Sequence, residues 1–255
     1  MSKTVWITGA SSGIGREFAR RYARLGFRLI LTARRTDRLE ALAAELTVKY
    51  NAFCRILPAD LEQESECARL CEALADERLD IFINNAGFGV CGSFLETSGE
   101  KELSMAKVNV LAMHQLFKFA VKKMEVQGFG TVLNVASSAG LLPGGPYMAG
   151  YYATKAYVVS LTRGVAEELR EQHSPVYVCA LCPGCGASVR SSVSRRPCGG
   201  CSATGSSSCP RPSCRPRQRP SGSCRCPFSC PSSPASKRKN WAEGPLCATS
   251  SNLSL

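Results

Sequence analysis

The sequence contains no run of eighteen apolar residues, and it does not open with a charged stretch followed by a short apolar segment. The first absence argues against a membrane-spanning helix, and the second argues against a secretory signal peptide. We therefore expect a cytoplasmic protein without a membrane partner. Its 15 cysteines are predicted to be thiols, because intracellular compartments are reducing. Histidine is scarce too: His114 and His173 have no companions for a metal site or a catalytic triad, so neither is predicted.

Acidic and large apolar residues are nearly absent from the last part of the chain. Residues 1–184 contain 21 Lys+Arg and 19 Asp+Glu, whereas residues 185–255 contain 11 Lys+Arg and a single acid, Glu243. The second segment also holds nine of the 15 cysteines and nine of the 14 prolines. A segment with so few apolar side chains cannot bury a core. The sequence thus predicts a folded domain over 1–184 and a basic, disordered tail over 185–255, and we expect no nucleic-acid partner for the folded part.

A glycine-rich stretch, Thr8–Gly15 (TGASSGIG), lies between an apolar run and an amphipathic helical pattern. Strand, glycine turn and helix form the context in which such a loop binds phosphate, because the first N–H groups of the helix are unpaired. The glycine spacing differs from the common G-x-G-x-x-G pattern, so a purely structural turn is the alternative. The candidate cofactor residues in this loop are Gly9, Ser11, Ser12, Gly13, Ile14 and Gly15.

The end of the second predicted strand bears on the choice of cofactor. An NAD site usually has an acid about twenty residues past the glycines, which binds the ribose hydroxyls. Here the chain continues as Ala33-Arg34-Arg35, with no acid before Asp37. Guanidinium groups bind a phosphate well. We therefore predict NADP as the cofactor, bound through Arg34, with NAD as the alternative. The explanation without a ligand is that the two arginines lie on a solvated loop.

Apolar strands alternate with helical patterns from the first residues to Gly184. This alternation predicts an α/β fold with a Rossmann-like, doubly wound parallel sheet. One long helix is expected over Glu100–Val126, with Asn109 as a polar residue in it. Asp60 and Leu61 follow the third strand as cofactor candidates, although Asp60 could instead cap a helix over Glu62–Ala75. The six predicted strands are Thr4–Thr8, Phe27–Thr32, Phe53–Leu57, Leu79–Ile83, Thr131–Val135 and Val176–Leu181.

Tyr151 and Lys155 are four residues apart at the start of a predicted helix and so share one face. A phenol with an ordinary pKa near 10 is a poor base at neutral pH. An ammonium about 4 Å away stabilises a phenolate by roughly 4 kcal/mol at an effective dielectric constant of about 20. Such a pair is suited to general acid/base catalysis.

Together these motifs resemble the short-chain dehydrogenase/reductase family. The resemblance implies hydride transfer between NAD(P) and a small carbonyl or alcohol substrate. The resemblance implies that Tyr151 is the general acid/base that transfers the proton, and that Ser137 polarises the substrate carbonyl. Lys155 would hold the nicotinamide ribose, and Asn109 would support a water relay. Ser138 is the alternative serine, and Tyr152 is the less favoured tyrosine. The resemblance also implies a homodimer or homotetramer. The other residues that it places at the cofactor are Asp60, Leu61, Asn85, Ala86, Gly87, Pro183 and Gly184.

After Gly184 the family would supply a substrate lid and a seventh strand, and neither is recognisable in the sequence. We favour a reading frame translated out of register, because the composition changes so abruptly. A tail that binds nucleic acid or an acidic partner is the second explanation, and it would suit a catalytically impaired nucleotide-binding protein. The third is zinc bound by two Cys-x-x-Cys pairs, at Cys182 and Cys198.

Overall fold

Apolar strands alternate with helices through residues 2–184, the part of the chain that the computed structural model describes. All six predicted strands are present, within a few residues of their expected bounds. The strands are β1 Thr4–Thr8, β2 Arg28–Thr32, β3 Cys54–Ile56, β4 Ile81–Asn84, β5 Gly130–Val135 and β6 Val176–Leu181. The helices are α1 Gly13–Arg24, α2 Thr36–Tyr50, α3 Glu64–Ala73, α4 Gly99–Ala106, α5 Met113–Gln127 and α6 Ala149–Glu171, with a 3-10 turn over Ser138–Leu141.

The six strands form one parallel sheet in the order β3-β2-β1-β4-β5-β6. The chain winds outward from β1 in one direction and, after crossing back, outward from β4 in the other. In an open parallel sheet the loops after two such strands diverge and leave a crevice at the carboxyl edge. This confirms the predicted Rossmann-like class and places the glycine loop, which follows β1, at that crevice.

The alternation of side chains along β1 divides the core into two layers. Val5 and Ile7 pack with α1 and α2 on one face, while Trp6 packs with α3 and α5 on the other. The Trp6 ring stacks on Phe82 of β4 at 4.2 Å between centroids, and its Nε1 donates a hydrogen bond to Thr32 Oγ1 at 3.0 Å. Because these side chains are fully buried, the strands that carry the crevice loops are fixed from both faces.

Two predictions about helices need correction. The helix expected over Glu100–Val126 contains a π-helical segment, Lys107–Ala112, between α4 and α5. The carbonyl of Met113, directly after that segment, accepts a hydrogen bond from the Asn84 side chain at 3.0 Å. Helix α3 begins at Glu64 with Gln63 at its N-cap, so Asp60 does not cap it. Asp60 Oδ1 instead accepts from the N–H of Glu62 at 3.2 Å, which is a local turn.

Residues 185–255 lie outside the described part of the chain, and so do the predictions for the missing lid, the seventh strand, the tail and the zinc pairs. Within residues 2–184, β6 pairs on one side only, with β5. No helix in this range is long and apolar enough to cross a membrane.

Candidate active site

The glycine loop after β1 depends on close packing between backbones. A Cβ atom on Gly9 would lie 2.8 Å from Asn85 Nδ2, and one on Gly15 would lie 2.4 Å from the Gly9 carbonyl oxygen. Gly13 has a φ of +55°, a left-handed conformation that favours glycine. Helix α1 begins at Gly13, so the unpaired N–H groups of its first turn lie beside the loop. The loop thus forms a small concave surface of backbone donors, as an anionic ligand requires.

Thr8 and Asn85 connect this loop to the end of β4. Thr8 Oγ1 accepts hydrogen bonds from the N–H groups of Asn85 at 2.9 Å and Ala86 at 3.0 Å. The Asn85 side chain donates to the Thr8 carbonyl at 2.9 Å. Asn85, expected from the resemblance to contact a cofactor, therefore also supports the glycine loop. Sequence reasoning missed the role of Thr8, because its partners lie 77 and 78 residues further along the chain.

The two arginines after β2 differ in their surroundings. Arg35 Nη2 donates to the hydroxyls of Ser11 and Ser12, each at 3.2 Å, so its guanidinium lies against the glycine loop. Arg34 forms an ion pair with Glu62 at 3.2 Å, and its side chain is 61% exposed. Both line the same cavity. Both arginines of the Ala33-Arg34-Arg35 stretch are thus candidate phosphate ligands, and Arg35 is the one in contact with the glycine loop.

Ser137 lies two residues after the end of β5 and is the N-cap of the following 3-10 turn. Its Oγ accepts a hydrogen bond from the N–H of Ala139 at 3.2 Å, which leaves the hydroxyl proton available to another acceptor. Ser137 lines the cavity, and Ser138 does not. This geometry favours Ser137 over Ser138.

Tyr151 and Lys155 lie in the first turns of α6, as their spacing predicted. Lys155 Nζ donates to the carbonyl of Val135 at 2.9 Å and lies 5.9 Å from the centre of the Tyr151 ring. The side chain is buried, and this burial lowers the pKa of Lys155 to about 8, with the nearby Cys182 opposing the shift. Tyr152 also lines the cavity, where its ring covers Gly145.

Asn109 lies in the π-helical segment and is almost completely buried. Its side chain pairs with both polar groups of Phe88: Oδ1 accepts from the N–H at 3.0 Å, and Nδ2 donates to the carbonyl at 2.8 Å. Nδ2 also donates to Thr154 Oγ1 at 3.1 Å. Asn109 thereby joins the loop after β4 to the helix that carries Tyr151.

One cavity of about 870 Å³ brings these groups together along the carboxyl edge of the sheet. Its volume is within the range of cofactor and ligand sites. Two predicted residues, Gly15 and Asn109, do not line it and lie behind its wall, where they support Gly9 and Phe88. The predicted residues that do line it are Gly9, Ser11, Ser12, Gly13, Ile14, Arg34, Asp60, Leu61, Asn85, Ala86, Gly87, Ser137, Tyr151, Lys155, Pro183 and Gly184.

The residues present suit a dinucleotide. The concave glycine loop and the start of α1 can hold a pyrophosphate, and the two arginines extend beyond it. Fold and cavity together define a protein of the dinucleotide-binding α/β class. Within the described residues, no cluster of three or more potential metal ligands occurs.

The chain belongs to the short-chain dehydrogenase family, whose model matches residues 3–196. It is 33% identical over 174 residues to a very-long-chain 3-oxoacyl-CoA reductase of Podospora anserina. The matched residues make up 66% of this chain and 51% of that protein. The chain is 32% identical over 187 residues to a D-beta-hydroxybutyrate dehydrogenase of Rhizobium meliloti. That match covers 72% of this chain and 71% of the dehydrogenase. A short-chain dehydrogenase from Sphingobium yanoikuyae, solved in complex with NADPH, superposes on this chain with a TM-score of 0.67 at 37% sequence identity. The superposition covers 71% of this chain and 70% of that chain. The chain spans about half the length of the 3-oxoacyl-CoA reductases that it matches.

Proposed function

We propose that this protein is an oxidoreductase that transfers a hydride between NADP(H) and a small carbonyl or alcohol substrate. The observation that carries the proposal is the single cavity in which the glycine loop and the arginine pair lie at one end and Ser137, Tyr151 and Lys155 at the other. A dinucleotide bound along the crevice of such a sheet would bring its nicotinamide to the second group.

NADP is the cofactor that the site favours. Arg35, bonded to the loop serines, and Arg34, which lines the same cavity and pairs with Glu62, supply two guanidiniums where a ribose 2′-phosphate would lie. The complex of the Sphingobium yanoikuyae relative with NADPH agrees with this choice. NAD is the alternative, as a Burkholderia phymatum relative, 31% identical, was solved with NAD.

NADP(H) supplies or accepts the hydride when bound, and the protein's own groups manage the proton and the charge. The Tyr151 hydroxyl donates a proton to the oxygen of the carbonyl as that oxygen gains negative charge. The Ser137 hydroxyl, which already accepts from the N–H of Ala139, donates a hydrogen bond to the same oxygen and keeps its proton. Lys155, held by the Val135 carbonyl, places its ammonium 5.9 Å from the centre of the Tyr151 ring, next to the reacting groups. Asn109 fixes the Phe88 backbone that borders the reacting groups.

The proposal includes a cytoplasmic location, a folded unit over residues 1–184 and a homodimer or homotetramer.

An apolar groove lies between helices α5 and α6, and Phe117, Val121 and Leu161 are among the residues that line it. These are the helices through which the family resemblance implies that subunits associate. Sedimentation of the purified chain tests the assembly.

Oxidation of NADPH, followed by its absorbance in the presence of simple aldehydes and ketones, tests the activity. Turnover by the wild-type chain and its loss in Tyr151→Phe, with NADPH binding retained, are expected. Tyr152→Phe is the matched control, because it removes a hydroxyl from the same cavity but not the proposed proton donor. An inactive Tyr152→Phe variant together with an active Tyr151→Phe variant would show that Tyr152, and not Tyr151, is the proton donor. NADPH binding without turnover by the wild-type chain would favour the second candidate, a nucleotide-binding protein without catalysis.

A further inference from the structure

Two loops border the reacting end of the cavity, and neither contains a charged residue: residues 85–95 after β4, and residues 136–154 from the end of β5 into α6. In a chain of which 20% of residues are charged, loops of this length would ordinarily carry several. The loops are joined by a hydrogen bond from the Gly92 N–H to the Tyr147 carbonyl at 2.8 Å. The absence of charge is thus a property of one continuous surface.

The cavity wall beside Tyr151 is formed by apolar side chains and bare backbone. Phe88, Gly89 and Met148 line it. A Cβ atom on Gly89 would lie 3.2 Å from Tyr151 Cδ2 and 3.5 Å from Met148 Cε. These distances place Gly89 against Met148 and the Tyr151 ring, so the three residues form one stretch of the cavity wall. The group attached to a reacting carbonyl would lie in the space in front of this wall.

Two of the three described cations that line the cavity lie away from this space, and the third is held by a backbone carbonyl. Among the described residues that line the cavity, Arg34 and Arg35 lie at the glycine loop, at the opposite end. Lys155 is the remaining cation, and its ammonium is buried against the Val135 carbonyl. A carboxylate or phosphate on the substrate, placed beside Met148, would therefore have no free cationic partner there among the described residues that line the cavity.

Outside this space the two loops present exposed apolar side chains. Phe94 is 71% exposed and Leu95 is 93% exposed on the first loop, and Leu142 is 53% exposed on the second. The first charged residue after them, Glu96, is an exposed acid. Outside the cavity the two loops therefore add exposed apolar surface and one exposed acid, and both disfavour an anion.

We infer that the substrate is a neutral aldehyde or ketone with a bulky apolar substituent, bound between Phe88, Gly89 and Met148, and that anionic carbonyl compounds are poor substrates. The inference rests on the proposed function and adds the substrate class to it. Burial of the substituent against these side chains favours binding, whereas an unpaired carboxylate loses its hydration without a compensating ion pair. Acids of the hydroxybutyrate type, named for the Rhizobium meliloti relative, are thereby disfavoured for this chain.

The test is a pair of aldehydes with the same reacting group and a similar shape, 4-isopropylbenzaldehyde and 4-formylbenzoate. With the whole chain and NADPH, kcat/KM for the neutral aldehyde should exceed that for the anion by at least about tenfold, since an unpaired buried charge costs that much or more. Equal values, or a preference for the carboxylate, would overturn the inference.

Met148→Lys locates the discriminating surface. A cation beside Tyr151 should raise the relative kcat/KM for 4-formylbenzoate and so narrow the ratio. Val48→Lys is the matched control, because Val48 lies on α2, is 89% exposed and does not line the cavity, so the ratio should stay unchanged. If Met148→Lys does not fold, Phe88→Lys introduces a cation at another residue that lines the cavity. A ratio that neither loop variant changes would contradict the placement of the substituent.

Binding separates the failure of this inference from the failure of the proposed function. Calorimetry with the NADP-loaded chain compares 4-isopropylbenzyl alcohol with 4-(hydroxymethyl)benzoate. Tighter binding of the neutral alcohol in a chain that turns over neither aldehyde would refute the oxidoreductase proposal and retain the ligand class. Equal binding, tighter binding of the anion, or no binding of either ligand would refute the ligand class itself.

Discussion

Lys155 donates a hydrogen bond from Nζ to the carbonyl of Val135 at 2.9 Å, and this contact holds an ammonium inside the protein. Its folded-state pKa is about 8, below the ordinary value of 10.5, because burial penalises the charge. The sheet thus positions a cation beneath Tyr151 at the expense of stability.

The pH dependence of stability follows from this shift. Between pH 8 and 10.5 the unfolded chain binds more protons at Lys155 than the folded chain, so the contribution of Lys155 to stability rises with pH in that window. Below pH 8 both states are protonated, and the full penalty, a few kcal/mol, is present. Lys155→Met should therefore show its largest advantage over wild type near pH 7 and lose it by about pH 10.5. Urea unfolding of both chains measures the difference, and a difference constant with pH would refute the assignment.

The arginines after β2 should discriminate between the two cofactors. Arg35→Ala should weaken NADPH binding by about 1–3 kcal/mol, the scale of a hydrogen bond to a charged group. Arg34→Ala should also weaken NADPH binding, but less, because Arg34 already pairs with Glu62. NADH binding should change little in either variant. Arg38→Ala is the control, since Arg38 is exposed on α2 and does not line the cavity. Equal losses for NADPH and NADH would refute a 2′-phosphate site.

Asn109 should be required for stability as well as for activity. Asn109→Ala removes three hydrogen bonds and leaves the N–H and carbonyl of Phe88 without these partners. A loss of about 2–4 kcal/mol in the free energy of unfolding is expected, because unpaired groups away from water are costly. Thr154→Val removes one of the three bonds and the bond from Thr154 Oγ1 to the Tyr151 carbonyl, but it keeps both Phe88 contacts and should cost less. An equal or larger loss in Thr154→Val would show that the Phe88 contacts contribute little.

Two glycines should respond to alanine in opposite directions. A Cβ on Gly140 would lie 2.4 Å from the carbonyl oxygen of Lys155, so Gly140→Ala must displace the 3-10 turn from α6 and should be destabilising. Gly164 lies within α6 and has nothing within 4 Å of its would-be Cβ. Gly164→Ala should therefore stabilise the chain by about 0.5–1 kcal/mol. Thermal unfolding of the two variants tests both, and a change of the same sign in both would contradict the packing.

Local patterns were sufficient to predict much of the fold and of the site. The alternation of strands and helices predicted the parallel sheet, and the four-residue spacing predicted that Tyr151 and Lys155 share a turn of α6. Ser137 was favoured because the end of a strand fixes a side chain well, and its place at the cavity supports that preference. Each of these features depends on residues close together in the sequence.

Features that depend on distant contacts were not predictable in the same way. The π-helical segment around Asn109 accompanies hydrogen bonds to Phe88 and Thr154, which are 21 and 45 residues away. The contacts of Arg35 with Ser11 and Ser12 join α2 to the glycine loop across 24 and 23 residues. A single sequence contains the groups for such contacts but does not show which of them meet.

The burial of Trp6 makes the core optically visible. Trp6 lies two residues before Thr8, where the glycine-rich loop begins. Its indole is fully buried, stacks on Phe82 and donates a hydrogen bond to Thr32. The chain has only one other tryptophan, Trp241, which lies outside the described residues. In a Trp241→Phe chain, the fluorescence would come from an indole that loses its stacked neighbour and its hydrogen-bond acceptor only when the sheet separates. A single emission band would then report the integrity of the strands that carry the site, without substrate or label.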